Sequence, residues 1–174
     1  DLVKRFNIPM TAKDVTITCG ATEARFVSIK LLAKAGTQIL CPADSSLITG
    51  AAYLAGTEIV NEASSPIHVS VLYLDASPSP LVGEGFRVRG EYLQQAAAYG
   101  WWIVWDMAAG LAGNSADFHP AQNPDLAPKV VTIGSVSGVM PGWRVGWMAG
   151  SQMAEKLRSF KQSMTICSTN VSQW

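Results

Sequence analysis

Charge is scarce in this chain. Asp, Glu, Lys and Arg make up only 15% of its 174 residues, and 13 basic side chains balance 13 acidic ones. A zero net charge removes the basic footprint of a nucleic-acid binder and the polybasic stretch that would hold a chain on an anionic membrane. Long apolar runs are missing too, because the run around Trp101 to Trp105 falls far short of the roughly 20 residues a bilayer-crossing helix needs. The three cysteines, Cys19, Cys41 and Cys167, are odd in number and far apart. They suggest neither a disulfide framework nor a Cys-x-x-Cys zinc or redox site, which predicts a soluble protein in a reducing, cytoplasmic compartment. No internal repeat, low-complexity tract or dividing linker interrupts the chain. It opens on Asp1 with no initiator Met and no charged-then-apolar leader, so it is expected to be a piece of a longer protein.

What remains is apolar. A 48% hydrophobic content rules out a disordered tail, and the length predicts one domain, residues 1–174, with a sizeable core. Short β-branched or aromatic runs alternate with helical segments, and Gly or Pro marks most joints. The runs predict strands over Val15 to Cys19, Gln38 to Cys41, Thr57 to Val60, Val69 to Leu74, Trp101 to Trp105, Val130 to Ile133 and Val145 to Met148. Helices are predicted over Thr22 to Ala35, Leu47 to Ala55, Arg89 to Tyr99 and Gln152 to Ser163, with Ser77 to Gly85 as a loop. This alternation predicts an α/β fold, a mostly parallel sheet with helices on both faces. Such sheets bind ligands outside the carboxyl ends of their strands.

Three groups of residues fall at those ends. Cys19-Gly20-Ala21-Thr22-Glu23-Ala24 runs from a strand straight into a helix, so backbone N–H groups and the positive end of a dipole face the ligand edge, where a phosphate would sit well. The plainer reading is a glycine turn. Asp106 follows a strand and could pair with a cationic ring nitrogen, or simply cap the turn. Ser135 and Ser137, followed by Pro141-Gly142-Trp143-Arg144, bring hydroxyls and a forked cation that also suit phosphate. Alternatively, Arg144 pairs with a surface carboxylate and the serines only turn the chain. His68 and His119 lack partners at ligand spacing and support no metal site. The tryptophans read as core or interface packing. No Gly-x-Gly-x-x-Gly follows the first strand, which disfavours a dinucleotide site.

In this order the segments resemble the large domain of class I/II aminotransferases, the fold type I enzymes that use pyridoxal 5'-phosphate. The resemblance lies in Val15-Thr-Ile-Thr-Cys-Gly-Ala-Thr-Glu-Ala24, Ala51-Ala-Tyr-Leu-Ala-Gly-Thr-Glu58, Gly100 to Asp106 and, most specifically, Gly134-Ser-Val-Ser-Gly-Val-Met-Pro-Gly-Trp-Arg-Val-Gly-Trp147. It implies that Ala21, Thr22, Ser135, Ser137 and Arg144 hold the cofactor phosphate and that Asp106 pairs with the pyridine nitrogen. It also implies an enzyme that moves an amino group between an amino acid and a 2-oxo acid. A homodimer is implied as well, together with an N-terminal segment and a C-terminal small domain beyond this chain.

Several family groups are absent from the sequence. The Schiff-base lysine is expected between Ser137 and Gly138, where none stands, and Lys129 lies at the wrong end of its strand. A family tyrosine after the aspartate is replaced by small residues around Ala108 and Ala109. The Asn-Pro-x-Gly loop reads Ser77 to Gly83 without its asparagine, and Ser45-Ser46 replaces a ring-stacking aromatic. The joint from Val60 to Val69 is short for the family's crossover. Either the protein has lost its chemistry, or active-site loops and a cofactor-bearing lysine belong to the molecule but not to these 174 residues. The second explanation accounts for more, and an intact mass near 18.6 kDa would defeat it. The alternatives to transamination are a non-catalytic module that binds pyridoxal phosphate or a phosphometabolite, and another fold type I reaction such as C–S lysis.

Overall fold

The structure is a computed structural model that describes residues 2–42, 45–76, 84–108, 118–136 and 141–166. Its strands are β1 (Val15–Thr18), β2 (Gln38–Leu40), β3 (Glu58–Val60), β4 (Val69–Asp75), β5 (Trp102–Asp106), β6 (Val130–Ser135) and β7 (Gly146–Ala149). Its helices are α1 (Leu2–Phe6), α2 (Gly20–Leu32), α3 (Thr49–Ala55), α4 (Glu84–Tyr99) and α5 (Ala154–Met164). The predicted strands form with ends displaced by a residue or two, and α4 begins five residues before the expected Arg89. The predicted set lacked α1, since five residues are too few to display a helical period.

All seven strands join one sheet in the order β1-β7-β6-β5-β4-β2-β3. Strands β6, β5, β4, β2 and β3 run parallel, and β7 is inserted antiparallel to both β6 and β1. This is the mostly parallel α/β sheet that the alternation predicted. Strands β4 and β6 are buried along nearly their whole length, as expected of strands covered on both faces.

Side chains alternate across the sheet. On β5, Val104 enters the core beneath α2, α3 and α5, while Ile103 and Trp105 enter the opposite core with Phe6 and Leu93. Each core is lined by wholly buried aliphatic side chains, Ile29, Ile39 and Leu157 in the first and Leu72 and Ile103 in the second. Burying one such side chain stabilises by about 1.5–3 kcal/mol. By the same alternation Asp106 falls on the α2 face with Tyr73 of β4, and Ser135 does so with Ile133 of β6. Sheet and helix thus place at one edge residues that lie far apart in sequence.

Helix α2 positions that edge. Its residues are mostly strong helix formers, Ala21, Glu23, Ala24, Arg25, Lys30, Leu31 and Leu32. Glu23 in its first turn accepts the Cys19 N–H at 2.5 Å, and Lys30 lies in its last turn, both favourable to the dipole. The strand turns into the helix at Gly20, whose φ of +78° is costly for any residue with a Cβ. The Thr18 hydroxyl donates to the Gly20 carbonyl at 2.9 Å and fixes that turn.

Candidate functional site

Four of the residues singled out from the sequence meet around the start of α2. Ser135 pairs in register with Gly146 on β7, and Gly146 with Thr18 on β1, so three adjacent strands present one level of the sheet to the helix. Gly146 is in close contact with the turn. A Cβ there would stand 2.7 Å from the Ala21 nitrogen, against backbone that cannot yield cheaply. Arg144 lies above the same turn, since a Cβ on Gly20 would be 2.9 Å from its Nη2. Backbone contact at Gly146 and the left-handed φ at Gly20 favour glycine on both sides of this cradle.

Arg144 is exposed and holds a left-handed backbone conformation, φ 49°. For a non-glycine residue that conformation costs on the order of 1–2 kcal/mol. Among the described residues Arg144 forms no ion pair, so the alternative of a surface carboxylate partner gains no support. Ala21 is buried and Thr22 exposed in the first turn, and the Ser135 hydroxyl donates to the Val145 carbonyl at 3.2 Å. The arrangement offers helix N–H groups, the dipole and a guanidinium to one small anion, with the Ser135 hydroxyl beside them engaged by Val145. Ser137 and its junction with Gly138 lie outside the described residues, as do Ser77 to Gly83 and Ala109.

Asp106 is 1% exposed, and its carboxylate is held from three sides. Oδ2 accepts from Arg25 Nε and from the Tyr73 hydroxyl, each at 2.5 Å, and Oδ1 accepts from the Ala108 N–H at 2.9 Å. The last contact is the turn cap weighed from sequence; the first two were not anticipated. Burial and the neighbouring carboxylate push the Tyr73 phenol well above its ordinary range, so it stays protonated and donates. Burial alone would lower the Arg25 pKa, but the hydrogen bond and charge of Asp106 outweigh it, and the net shift is upward. Arg25 belongs to the buried stripe of α2, with Ala21, Ala24, Ser28 and Leu32. A lone charge on that stripe was the available signal, as was a tyrosine in a fully buried strand, whose hydroxyl needs a partner.

Other residues lie elsewhere. Lys129 sits at the amino end of β6 with its Nζ 4.7 Å from the Trp102 ring centroid, and Lys161 is buried in α5. The sequence has no lysine between Lys129 and Lys156, so no lysine of this chain follows β6 at the ligand edge. His119 is fully buried and fills a structural role. Its Nδ1 accepts the Ala121 N–H at 3.1 Å, which leaves the proton on Nε2, 3.0 Å from the Thr132 hydroxyl. Among the described residues no cluster of His, Cys, Asp or Glu could hold a metal ion, and no helix is long and apolar enough to cross a membrane.

Comparison with solved structures decides the fold. Aspartate aminotransferase from Rhizobium meliloti superposes with a TM-score of 0.81 at 17% identity, over 99% of this chain and 49% of that one. The chain has the fold of an aminotransferase large domain. Its sequence is similar to that of two aminotransferases. An (S)-3,5-dihydroxyphenylglycine transaminase of Amycolatopsis orientalis is 28% identical over 99% of this chain and 46% of its own length. An aspartate aminotransferase of Streptomyces avermitilis is 27% identical over 87% of this chain and 43% of its own. The chain thus spans a little under half the length of these relatives. The first alignment runs over 204 positions against 174 residues here, so at least 30 positions inside the matched region have no counterpart in this aminotransferase-like chain. No family model matches it.

Proposed function

We propose that this chain is the cofactor-binding large domain of a pyridoxal phosphate-dependent aminotransferase, acting between an amino acid and a 2-oxo acid. The observation that carries the reading is the cradle of Gly20, Gly146 and Arg144 at the start of α2, on the same sheet face as Asp106. The cradle fits a phosphate monoester. The first-turn N–H groups at Ala21 and Thr22 would bind it, Arg144 would neutralise it, and the Ser135 hydroxyl would join them on turning its proton from the Val145 carbonyl. Ser137 joins this set through the family resemblance. Asp106 would then orient the ring from the far side of the site, anchored by Tyr73 and Ala108.

Once bound, pyridoxal phosphate supplies an electron sink for the substrate's α-carbon. The chain's own residues would grip the cofactor and fix its plane, and no lysine stands beside Ser137 to accept the α-proton. A homodimer in the cytoplasm is the setting that accompanies this reading. Equilibrium binding of pyridoxal phosphate to the purified protein, alone and in competition with inorganic phosphate, tests it. Arg144→Ala removes a charge-assisted contact worth about 1.5–3 kcal/mol, so affinity should fall by about tenfold or more. Its stability in urea should change by less than about 0.5 kcal/mol, because the side chain is exposed. Unchanged affinity would remove the phosphate assignment.

One observation favours a second reading, a domain that binds the cofactor without catalysis. Arg25 already pairs with Asp106, and no lysine stands immediately after Ser137 in this chain. Binding of pyridoxal phosphate without amino-group exchange in the intact protein would support that alternative.

A further inference from the structure

We infer that Arg25 takes the electrostatic place of a protonated ring nitrogen at Asp106, so that this chain binds pyridoxal phosphate with the pyridine nitrogen uncharged. The inference rests on the proposed cofactor reading and concerns only the state of the ring.

A carboxylate offers about four lone-pair positions. At Asp106 three are taken, by Arg25 Nε, the Tyr73 hydroxyl and the Ala108 N–H. One position remains, on Oδ1. A ring nitrogen could approach it, but the charge that would favour protonation there has been met. An opposite charge within hydrogen-bonding distance favours the ionised partner, and the guanidinium at 2.5 Å provides that charge to the carboxylate permanently. A pyridinium would be a second cation beside one carboxylate, in a site where Asp106 is almost fully buried and repulsion between cations is poorly screened. Asp75, the register neighbour of Asp106 on β4, is only partly buried and makes its own contacts. Arg25 reaches Asp106 from the second turn of α2, the helix whose first turn forms the phosphate cradle, so one helix sets both ends of the site.

The test compares two ligands on the wild-type protein, pyridoxal phosphate and its analogue with the ring nitrogen replaced by C–H, which keeps the phosphate and the aldehyde. With no charge pair to gain, the two should bind within about threefold of each other. In Arg25→Leu, Asp106 loses its cation, and pyridoxal phosphate should then be preferred by about tenfold, the equivalent of one pKa unit of stabilisation on the ring nitrogen. Tyr73→Phe removes a hydrogen bond without altering charge and should leave the wild-type ratio in place, as should Asp75→Asn. The nitrogen NMR shift of bound, ¹⁵N-labelled pyridoxal phosphate gives an independent reading on wild type alone, should Arg25→Leu fail to fold: an unprotonated value is expected. A protonated value, or a wild-type preference of about tenfold for pyridoxal phosphate, would overturn the inference while leaving the cofactor assignment intact. A ratio that moves with Asp75→Asn but not with Arg25→Leu would overturn it as well. Binding of neither ligand by wild type would remove the cofactor reading and this inference together.

Discussion

Of the buried polar contacts among the described residues, two lie on opposite faces of the sheet and are built differently. Beneath α2, at the carboxyl end of β5, Asp106 is surrounded by Arg25, Tyr73 and the Ala108 N–H. On the opposite face, halfway along β6, Thr132 meets a neutral His119 that lies beside the rings of Phe6 and Trp105, 5.3 and 5.9 Å between centroids. Both are almost completely shielded from water. The His119 contact solves the problem of burial by remaining uncharged, as a site that only needs to pack can do. At Asp106 an acid is buried against a dedicated cation, at the sheet edge where ligands of such folds bind.

The largest test of this contrast is to remove the acid. Asp106→Ala strands a buried guanidinium, and breaking such a pair costs about 3–5 kcal/mol. Thr132→Val, which deprives only His119 of its partner, should cost about 1–3 kcal/mol. Urea unfolding of both variants at neutral pH measures the difference, and equal losses would break the distinction between the faces.

The second test uses pH. Burial lowers the His119 pKa to about 4 from an unfolded value of 6.5. The folded state therefore holds the neutral imidazole, and its stabilisation is complete above the unfolded pKa. It is lost as pH falls from 6.5 toward 4, where the unfolded chain binds the extra proton. The full span amounts to about 3 kcal/mol. The loss should be absent in His119→Gln, and an acid slope that persists in that variant would assign it to other groups.

A smaller effect is expected at the cradle. Gly146→Ala pushes a methyl group into the backbone of the Gly20 turn, and overpacking of this kind costs about 1–3 kcal/mol, the lower part of the range if β7 can shift. Phosphate affinity should fall with it. An unchanged melting temperature together with unchanged phosphate binding would show that the close approach has no role in the site.

The fold was largely legible because its strands are β-branched and buried, as in Val69-Ser-Val-Leu-Tyr-Leu74 and Val130-Val-Thr-Ile133, and because Gly or Pro separates them from helices. The turn at the start of α2 was legible for a local reason: Gly20-Ala21-Thr22 joins a strand directly to a helix. The surroundings of Asp106 were not. Arg25 lies 81 residues away in sequence and looks like any helical arginine until the buried stripe of α2 is drawn through it. His119 lies outside any periodic segment, and its partner Thr132 is identified only by tertiary packing. That β7 alone runs backwards was also hidden, since a four-residue strand looks the same in either direction.

That reversal has a practical consequence for engineering. Because β7 returns beside β6 rather than crossing over the sheet, Ser135 and Gly146 face each other while only ten residues separate them in the chain. The strands on either side anchor both ends of the segment that carries Arg144. A graft carrying an amine would have to keep Arg144 over the Gly20 turn.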